Sequence, residues 1–164
     1  MELKGRRILI SGGTSGIGLA TARYCRERGA LVFILGQNQD KVSSLITSLD
    51  ICGGRVCDVR SPSECASSVS SAELAMGGID TLVLSAGIGI IAPISELSVE
   101  DFRDTVEVNL IGAFNLCKIA LPMLSKSERA DIILLGSRAG RYAFRGGTAY
   151  CASKFGIQGL SEAL

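Results

Sequence analysis

Ser11-Gly-Gly-Thr-Ser-Gly-Ile-Gly18 follows a short apolar strand predicted over Arg7–Ser11 and opens an amphipathic helix predicted over Ile17–Arg28. A glycine-rich turn between a strand and a helix suits a diphosphate, because the backbone N–H groups at the helix N-terminus point towards the anion. No Gly-Lys-Ser/Thr follows the glycines, which argues against a nucleoside-triphosphate loop. The alternative is a glycine-rich turn that serves only packing.

Outward from this turn, strands alternate with helices. Leu31–Leu35 is a continuous apolar run, which is typical of a strand covered on both faces. Further strands are predicted over Arg55–Cys57, Thr81–Ser85 and Ile132–Leu135, and further helices from Asn38 to Leu49, from Ser61-Pro62, and from Ser98 to about Pro122. This alternation predicts a parallel sheet with right-handed crossovers. The fold class is therefore α/β, a doubly wound Rossmann-like sheet, within one domain over residues 1–164.

Composition excludes several classes of function. The 164 residues carry 17 basic and 16 acidic side chains without a basic patch or an acidic tail, which argues against a nucleic-acid partner. No signal-peptide segment and no apolar run of the ~20 residues that a membrane span needs are present, so no membrane partner is expected. The 6 cysteines lack a C-x-x-C spacing and favour buried thiols in a reducing cytoplasm. A disulfide framework or metal site is the alternative.

Tyr150-Cys-Ala-Ser-Lys154 is the best catalytic candidate. The sequence has no histidine, which removes the imidazole acids, nucleophile partners and metal ligands. Residues i and i+4 of a helix lie on the same face, so Tyr150 and Lys154 are expected to form one acid–base unit. Neither Tyr24 nor Tyr142 has a lysine four residues further on. The alternative for the pair is an exposed face of a helix.

Other short motifs follow the glycine turn in order. These are Asp58-Val59 after the third strand, Ser85-Ala86-Gly87 after the fourth, Asn109 in a Val-Asn-Leu of the long helix, and Ser137 after the fifth strand. With these motifs the chain resembles the short-chain dehydrogenase/reductase family over essentially all 164 residues. The glycine spacing is similar to that of the family's shorter members.

The resemblance implies the residues of a site and no metal. The implied cofactor-binding residues are Gly12, Thr14, Ser15, Gly16, Ile17, Gly18, Gln37, Asn38, Asp58, Val59, Ser85, Ala86, Gly87, Tyr150 and Lys154. The implied catalytic residues are Asn109, Ser137, Tyr150 and Lys154.

The implied reaction is hydride transfer between NAD(P)(H) and a small carbonyl or alcohol substrate. Tyr150 is expected to exchange the proton on the substrate oxygen, while the charge of Lys154 favours the phenolate and its ammonium binds the nicotinamide ribose. Ser137 is expected to hydrogen-bond the substrate oxygen, and Asn109 to hold a water on the proton path. The alternatives are a buried asparagine that only satisfies backbone groups and an ordinary serine at the end of a strand.

The end of the second strand bears on the cofactor. Leu35-Gly36-Gln37-Asn38 contains neither the acid that holds an NAD ribose nor an arginine, and Asp40 is expected to lie in the first turn of a helix. Because no carboxylate would repel a 2′-phosphate, the sequence favours NADP over NAD.

Two departures from the family pattern limit this assignment. Ser85 stands where the family has asparagine, and a hydroxyl makes fewer hydrogen bonds than an amide. Residue 164 lies inside the tyrosine helix, whereas family members continue through further strands and a substrate-covering segment. We expect the N-terminal part of a longer enzyme, which forms a homodimer or homotetramer when complete, or a short product with reduced activity. The alternative function is a catalytically silent dinucleotide-binding or interaction module.

Overall fold

The computed structural model describes residues 3–164, so Met1 and Glu2 of the predicted domain lie outside the described residues. The strands are β1 (Arg7–Ser11), β2 (Leu31–Gly36), β3 (Gly53–Val56), β4 (Thr81–Leu84) and β5 (Asp131–Leu134). They form a parallel sheet in the order β3-β2-β1-β4-β5. The strand order reverses between β1 and β4, which confirms the doubly wound α/β prediction.

Helices connect these strands. They are α1 (Gly16–Glu27), α2 (Gln39–Leu49), α3 (Pro62–Met76), α4 (Val99–Val106), α5 (Gly112–Leu124) and α6 (Thr148–Ala163). The helix starts predicted at Asn38, Ser61 and Ser98 are confirmed, since each side chain accepts a hydrogen bond from a backbone N–H in the first turn. A 3-10 turn over Arg138–Gly140 follows β5.

The predicted position of the third strand is wrong by two residues at its start. The sequence pattern predicts Arg55–Cys57, but the strand begins at Gly53 and pairs with β2 from Phe33 onwards. A Cβ atom on Gly53 would lie 2.9 Å from the Phe33 ring, so a neighbouring side chain occupies this space. Glycine has little intrinsic preference for strands, and its place here is set by packing that the sequence pattern does not reveal.

The predicted long helix is observed from Val99 to Leu124 but contains a π-helical segment over Glu107–Ile111. At its end the N–H of Gly112 bonds to the carbonyl oxygen of Glu107, and a Cβ on Gly112 would collide with the Val59 side chain. The wider turn and the missing side chain bring the helix against the segment after β3. Single π-helical turns occur frequently at functional sites.

This same 26-residue helix is long and apolar enough to cross a membrane by length and composition alone. In the structure it packs on the sheet, with 44% of its most apolar window buried, and it buries the polar side chains of Asn109 and Asn115. The packing is that of a core helix. The absence of a membrane partner stays a prediction.

The core lies on both faces of the sheet. On β1, Leu9 joins the cluster beneath α3 and α5, while Ile8 and Ile10 join the cluster beneath α1. The apolar run of β2 divides in the same way, as expected for a strand covered on both sides. The six cysteines are free thiols, and all except Cys52 are buried. The layers leave the carboxyl ends of the strands together at one edge of the sheet.

Candidate active site

Two adjoining cavities lie at the carboxyl ends of the strands. The first, here called the Gln37 cavity, has a volume of about 340 Å³, and the second, here called the Tyr150 cavity, has a volume of about 440 Å³. They share Ser15, Gly87 and Ile88. Because β1 and β4 flank the reversal of strand order, both cavities lie where ligands bind in sheets of this type.

Glycine is required for different physical reasons at different positions of the turn after β1. A Cβ on Gly12 would lie 2.7 Å from the backbone nitrogen of Ala86, and one on Gly18 would collide with the carbonyl oxygen of Gly12. These two glycines therefore allow the turn to pack on itself and on the end of β4. Gly16 has a φ of +51° and open space on its side-chain side, so only its backbone conformation favours glycine.

The N-terminus of α1 opens towards both cavities. Ser15 occupies the N-cap position, and its side chain makes no capping hydrogen bond. The N–H groups of the first turn are thus free of a side-chain partner and suit an anion such as a diphosphate. Thr14 packs against Gly36, where a Cβ would collide with the threonine side chain, and this contact fixes the turn to the end of β2.

The two predicted cofactor residues that follow β2 have different places in the structure. Gln37 is exposed and lines the Gln37 cavity. Asn38 does not line it, and the Asn38 Oδ1 accepts a 2.9 Å hydrogen bond from the backbone N–H of Lys41. Asn38 therefore acts as the cap of α2 in the structure.

Only one of the two residues of the Asp58-Val59 motif lines the Gln37 cavity. Val59 lines the Gln37 cavity, whereas the Asp58 carboxylate lies outside its lining and is paired with the Arg60 guanidinium at 2.7 Å. Hydrogen bonds from Arg60 hold the pKa of Asp58 below its usual value. Arg60 itself lines the cavity and also pairs with Asp104 at 3.0 Å. Sequence reasoning missed Arg60, although its place directly after the motif was a signal.

Cys57 is a second residue of the Gln37 cavity that sequence reasoning missed. The buried Cys57 thiol belongs to the same core cluster as the buried thiol of Cys65. Cys65 in turn donates a hydrogen bond to the carbonyl oxygen of Val59, at 3.4 Å. The two thiols thus support the segment after β3.

Tyr150 and Lys154 lie on one face of α6 and both line the Tyr150 cavity. The Lys154 Nζ is 5.8 Å from the centre of the Tyr150 ring and donates a 2.7 Å hydrogen bond to the carbonyl oxygen of Leu135. Lys154 is only 8% exposed, so the alternative of an exposed helix face is wrong. Burial lowers the pKa of its ammonium. A buried ammonium is an effective partner for a phenolate, since few waters screen the two charges.

Asn109 lies in the π-helical segment and is 2% exposed. Its Oδ1 accepts from the N–H of Ile88, and its Nδ2 donates to the carbonyl oxygen of Ile88, both at 2.8 Å. The same Nδ2 donates to the Ser153 Oγ at 3.0 Å, and that hydroxyl donates to the carbonyl oxygen of Tyr150 at 2.8 Å. The amide therefore joins the loop after β4 to α6, which agrees with the alternative interpretation of a backbone-satisfying asparagine. Sequence reasoning missed Ser153.

Of the two predicted serines, one lines the Tyr150 cavity and the other does not. Ser85 lines it, and a hydrogen bond from the N–H of Ala86 to the Ser11 Oγ, at 3.3 Å, braces the neighbouring backbone. Ser137 is half-buried, and its Oγ accepts a 3.1 Å hydrogen bond from the N–H of Ala139. It does not line the cavity, although Gly136 does. Its role towards a substrate stays a prediction.

A family model described as short chain dehydrogenase matches residues 6–164 of this chain. The chain belongs to the short-chain dehydrogenase family. This family is one of oxidoreductases, and the site described above lies entirely within the matched residues.

The chain is similar to proteins with different names. It is 38% identical to a 3-dehydrosphinganine reductase of Arabidopsis thaliana, covering 100% of this chain and 51% of the relative. It is 32% identical to a D-threitol dehydrogenase of Mycolicibacterium smegmatis, covering 99% of this chain and 64% of the relative. The apo crystal structure of LigO from Sphingobium sp. strain SYK-6 superposes with a TM-score of 0.94 at 25% identity, covering 100% of this chain and 63% of LigO. The chain spans about half the length of the first of these relatives.

The arrangement brings a helix N-terminus without a side-chain cap, a phenol and a buried ammonium to one pair of cavities. Among the described residues, no group of three or more histidine, cysteine or acidic side chains is placed to hold a metal ion. Groups of these kinds can bind an anion, orient a ligand and exchange a proton.

Proposed function

We propose that this chain is part of an enzyme that transfers a hydride between NAD(P)(H) and a carbonyl or alcohol compound. Tyr150 acts as the general acid and base. The observation that carries the proposal is the buried ammonium of Lys154 beside the Tyr150 ring, at the wall of an open cavity. No other tyrosine of the described chain lines either cavity.

The residues of the Gln37 cavity fit a dinucleotide. The uncapped N-terminus of α1 suits the diphosphate, and Val59 and Gln37 suit the adenosine half of the molecule. Lys154, in the adjoining cavity, would hold the nicotinamide ribose. The nicotinamide, when bound, supplies or accepts the hydride.

The side chains of the protein transfer the proton that accompanies the hydride. The Tyr150 hydroxyl donates it to the substrate oxygen during carbonyl reduction and removes it during alcohol oxidation. Lys154 stabilises the resulting phenolate by its charge, and the carbonyl oxygen of Leu135 holds its ammonium in place. Asn109 and Ser153 position α6 against the loop after β4.

We propose NADP rather than NAD as the preferred cofactor. The Gln37 cavity presents no acid from the end of β2, and this absence carries the choice, because Arg60 in the lining is already paired with Asp58 and Asp104. A clear preference for NADH over NADPH in equilibrium binding would overturn this choice.

The two relatives differ in their named substrates, and we therefore propose a small carbonyl or alcohol compound as the substrate. Cytoplasmic location and assembly as a homodimer or homotetramer stay predictions.

The test is carbonyl reduction, followed by NADPH consumption, with and without the Tyr150 hydroxyl. We expect Tyr150→Phe to lower turnover by about 10²–10⁴-fold, the usual contribution of a positioned general acid, and to leave NADPH binding unchanged. Tyr24→Phe is the matched control, because it removes a hydroxyl from an exposed ring on α1. Full turnover of Tyr150→Phe would remove Tyr150 from the mechanism.

A further inference from the structure

Large apolar side chains that face solvent form one part of the wall of the Tyr150 cavity, and glycines, serines, Tyr150 and Lys154 form the rest. The exposed fractions are 67% for Ile17, 39% for Ile88, 58% for Ile91 and 47% for Phe144. Half-buried Leu135 continues the wall behind them. Folded proteins seldom leave such groups together in contact with water unless they bind an apolar group there.

The wall is held in place by contacts between two loops. The N–H of Ala92 donates a 3.0 Å hydrogen bond to the carbonyl oxygen of Gly146, which joins the loop after β4 to the loop before α6. A Cβ on Gly147 would lie 2.6 Å from the Phe144 ring, and one on Gly89 would lie 3.3 Å from the Tyr150 ring. Glycine at these two places lets each ring lie directly against the backbone. The apolar surface is therefore largely formed before a ligand arrives.

The same cavity offers little to a charged ligand. Besides Tyr150, Lys154 is the single ionisable residue among those that line it, and its ammonium is bound to the carbonyl oxygen of Leu135. No carboxylate and no guanidinium belongs to this lining. A charged group placed on the apolar wall, away from Lys154, would lose hydration without gaining a charged partner.

We propose that the Tyr150 cavity binds a neutral carbonyl compound, or the corresponding alcohol, with a hydrocarbon substituent next to the reacting carbon. The inference rests on the proposed function for the orientation of the carbonyl towards Tyr150. The hydrocarbon chain lies along Ile88, Ile91 and Phe144, where each buried methylene group contributes to affinity.

The experiment measures the binding of 2-butanone, 2-hexanone and 2-octanone to the protein saturated with NADP⁺, by ligand-observed NMR. Affinity should rise about two- to four-fold for each added methylene, and 7-oxooctanoate, the carboxylate analogue of 2-octanone, should bind at least about ten-fold more weakly. Phe144→Ala should reduce the dependence on chain length. Phe155→Ala is the matched control, because Phe155 is also 47% exposed but does not line the cavity.

Affinity that is independent of chain length, equal binding of the carboxylate, or equal effects of the two phenylalanine variants would overturn the inference. A fall in self-association of Phe144→Ala, with ketone binding unchanged, would instead identify the wall as a contact between copies and would also overturn it. Tyr150→Phe separates the two proposals, since it should bind the ketones normally without turning them over. Length-dependent binding to a protein that reduces no ketone would overturn the proposed function and leave this inference standing.

Discussion

The two ends of the parallel sheet differ in whether their polar and charged groups are paired with one another or border an open cavity. At the amino ends of the strands, charged side chains neutralise one another, with Arg7 paired to Asp80 and Arg6 paired to Asp131. At the carboxyl ends, an uncapped helix N-terminus, a phenol and a buried ammonium border two open cavities. At the amino end the charged side chains are paired with one another. At the carboxyl end polar groups remain available to a ligand.

Cavity size alone would point to the wrong end. A cleft of about 510 Å³ lies at the amino end, and it is larger than either cavity at the carboxyl end. Within it, Asp80 accepts hydrogen bonds from the Arg7 backbone N–H at 3.0 Å and from the Ser127 hydroxyl at 2.8 Å. The Arg7 guanidinium, by hydrogen bonding, holds the pKa of Asp80 far below its usual range. This comparison predicts that charge stabilises the fold at the amino end and serves chemistry at the carboxyl end.

Among the charged residues of the two ends, Lys154→Met is expected to have the largest effect, and this effect is on turnover. This change keeps a long flexible side chain but removes the charge that favours the phenolate, so we expect turnover to fall about 10²-fold or more. The free energy of unfolding should stay equal or rise, because a buried ammonium with a lowered pKa opposes folding. Steady-state kinetics and urea unfolding check the two parts. A strongly destabilised variant would show that Lys154 is mainly structural.

The next effect is on stability in Asp80→Asn. An amide cannot neutralise Arg7, and hydrogen bonds to charged groups contribute about 1.5–3 kcal/mol each, so the free energy of unfolding should fall by about that amount. Turnover should remain that of the wild type, since Asp80 lies at the far end of the sheet. Asp40→Asn is the matched control, because Asp40 is an exposed carboxylate in the first turn of α2. A loss of turnover in Asp80→Asn at constant stability would break the comparison.

The pH dependence of stability follows from the same carboxylate. Because the pKa of Asp80 is depressed in the folded state, its contribution is fully present above the unfolded-state pKa of about 4 and is lost as pH falls towards the folded value. Wild-type stability should therefore decline below about pH 4, and the decline should be smaller in Asp80→Asn. Urea unfolding of both proteins at a series of pH values measures the difference. Parallel curves would show that Asp80 is not the source of the pH dependence.

Much of the fold could be predicted because its signals are local. The apolar run of β2 and the capping side chains of Asn38, Ser61 and Ser98 each act within a few residues. The start of β3 could not, because Gly53 is selected by the Phe33 ring of the neighbouring strand. The π-helical segment likewise depends on packing against Val59, which is distant in sequence.

The site follows the same rule. Tyr150 and Lys154 could be paired from sequence because the geometry of one helix brings them together. The partners of Asn109 could not be predicted, since Ile88 and Ser153 come from a loop and another helix. The family resemblance supplied Asn38 as a cofactor candidate, whereas the local pattern predicted it at the start of α2, and the structure shows the side chain as the cap of that helix.

The smallest expected effect sharpens that last point. Asn38→Ala should reduce the free energy of unfolding by about 1 kcal/mol, the usual contribution of an N-cap, and should leave NADPH affinity unchanged. Isothermal titration with NADPH and urea unfolding distinguish the two roles. Weaker NADPH binding at unchanged stability would restore Asn38 as a cofactor-binding residue.

The most direct test measures turnover and urea unfolding side by side for Tyr150→Phe and Asp80→Asn. We predict that Tyr150→Phe loses turnover and keeps its stability, while Asp80→Asn loses stability and keeps its turnover. Tyr150→Phe with full turnover, or Asp80→Asn with wild-type stability and impaired turnover, would contradict the division of the molecule into a stabilising end and a chemical end.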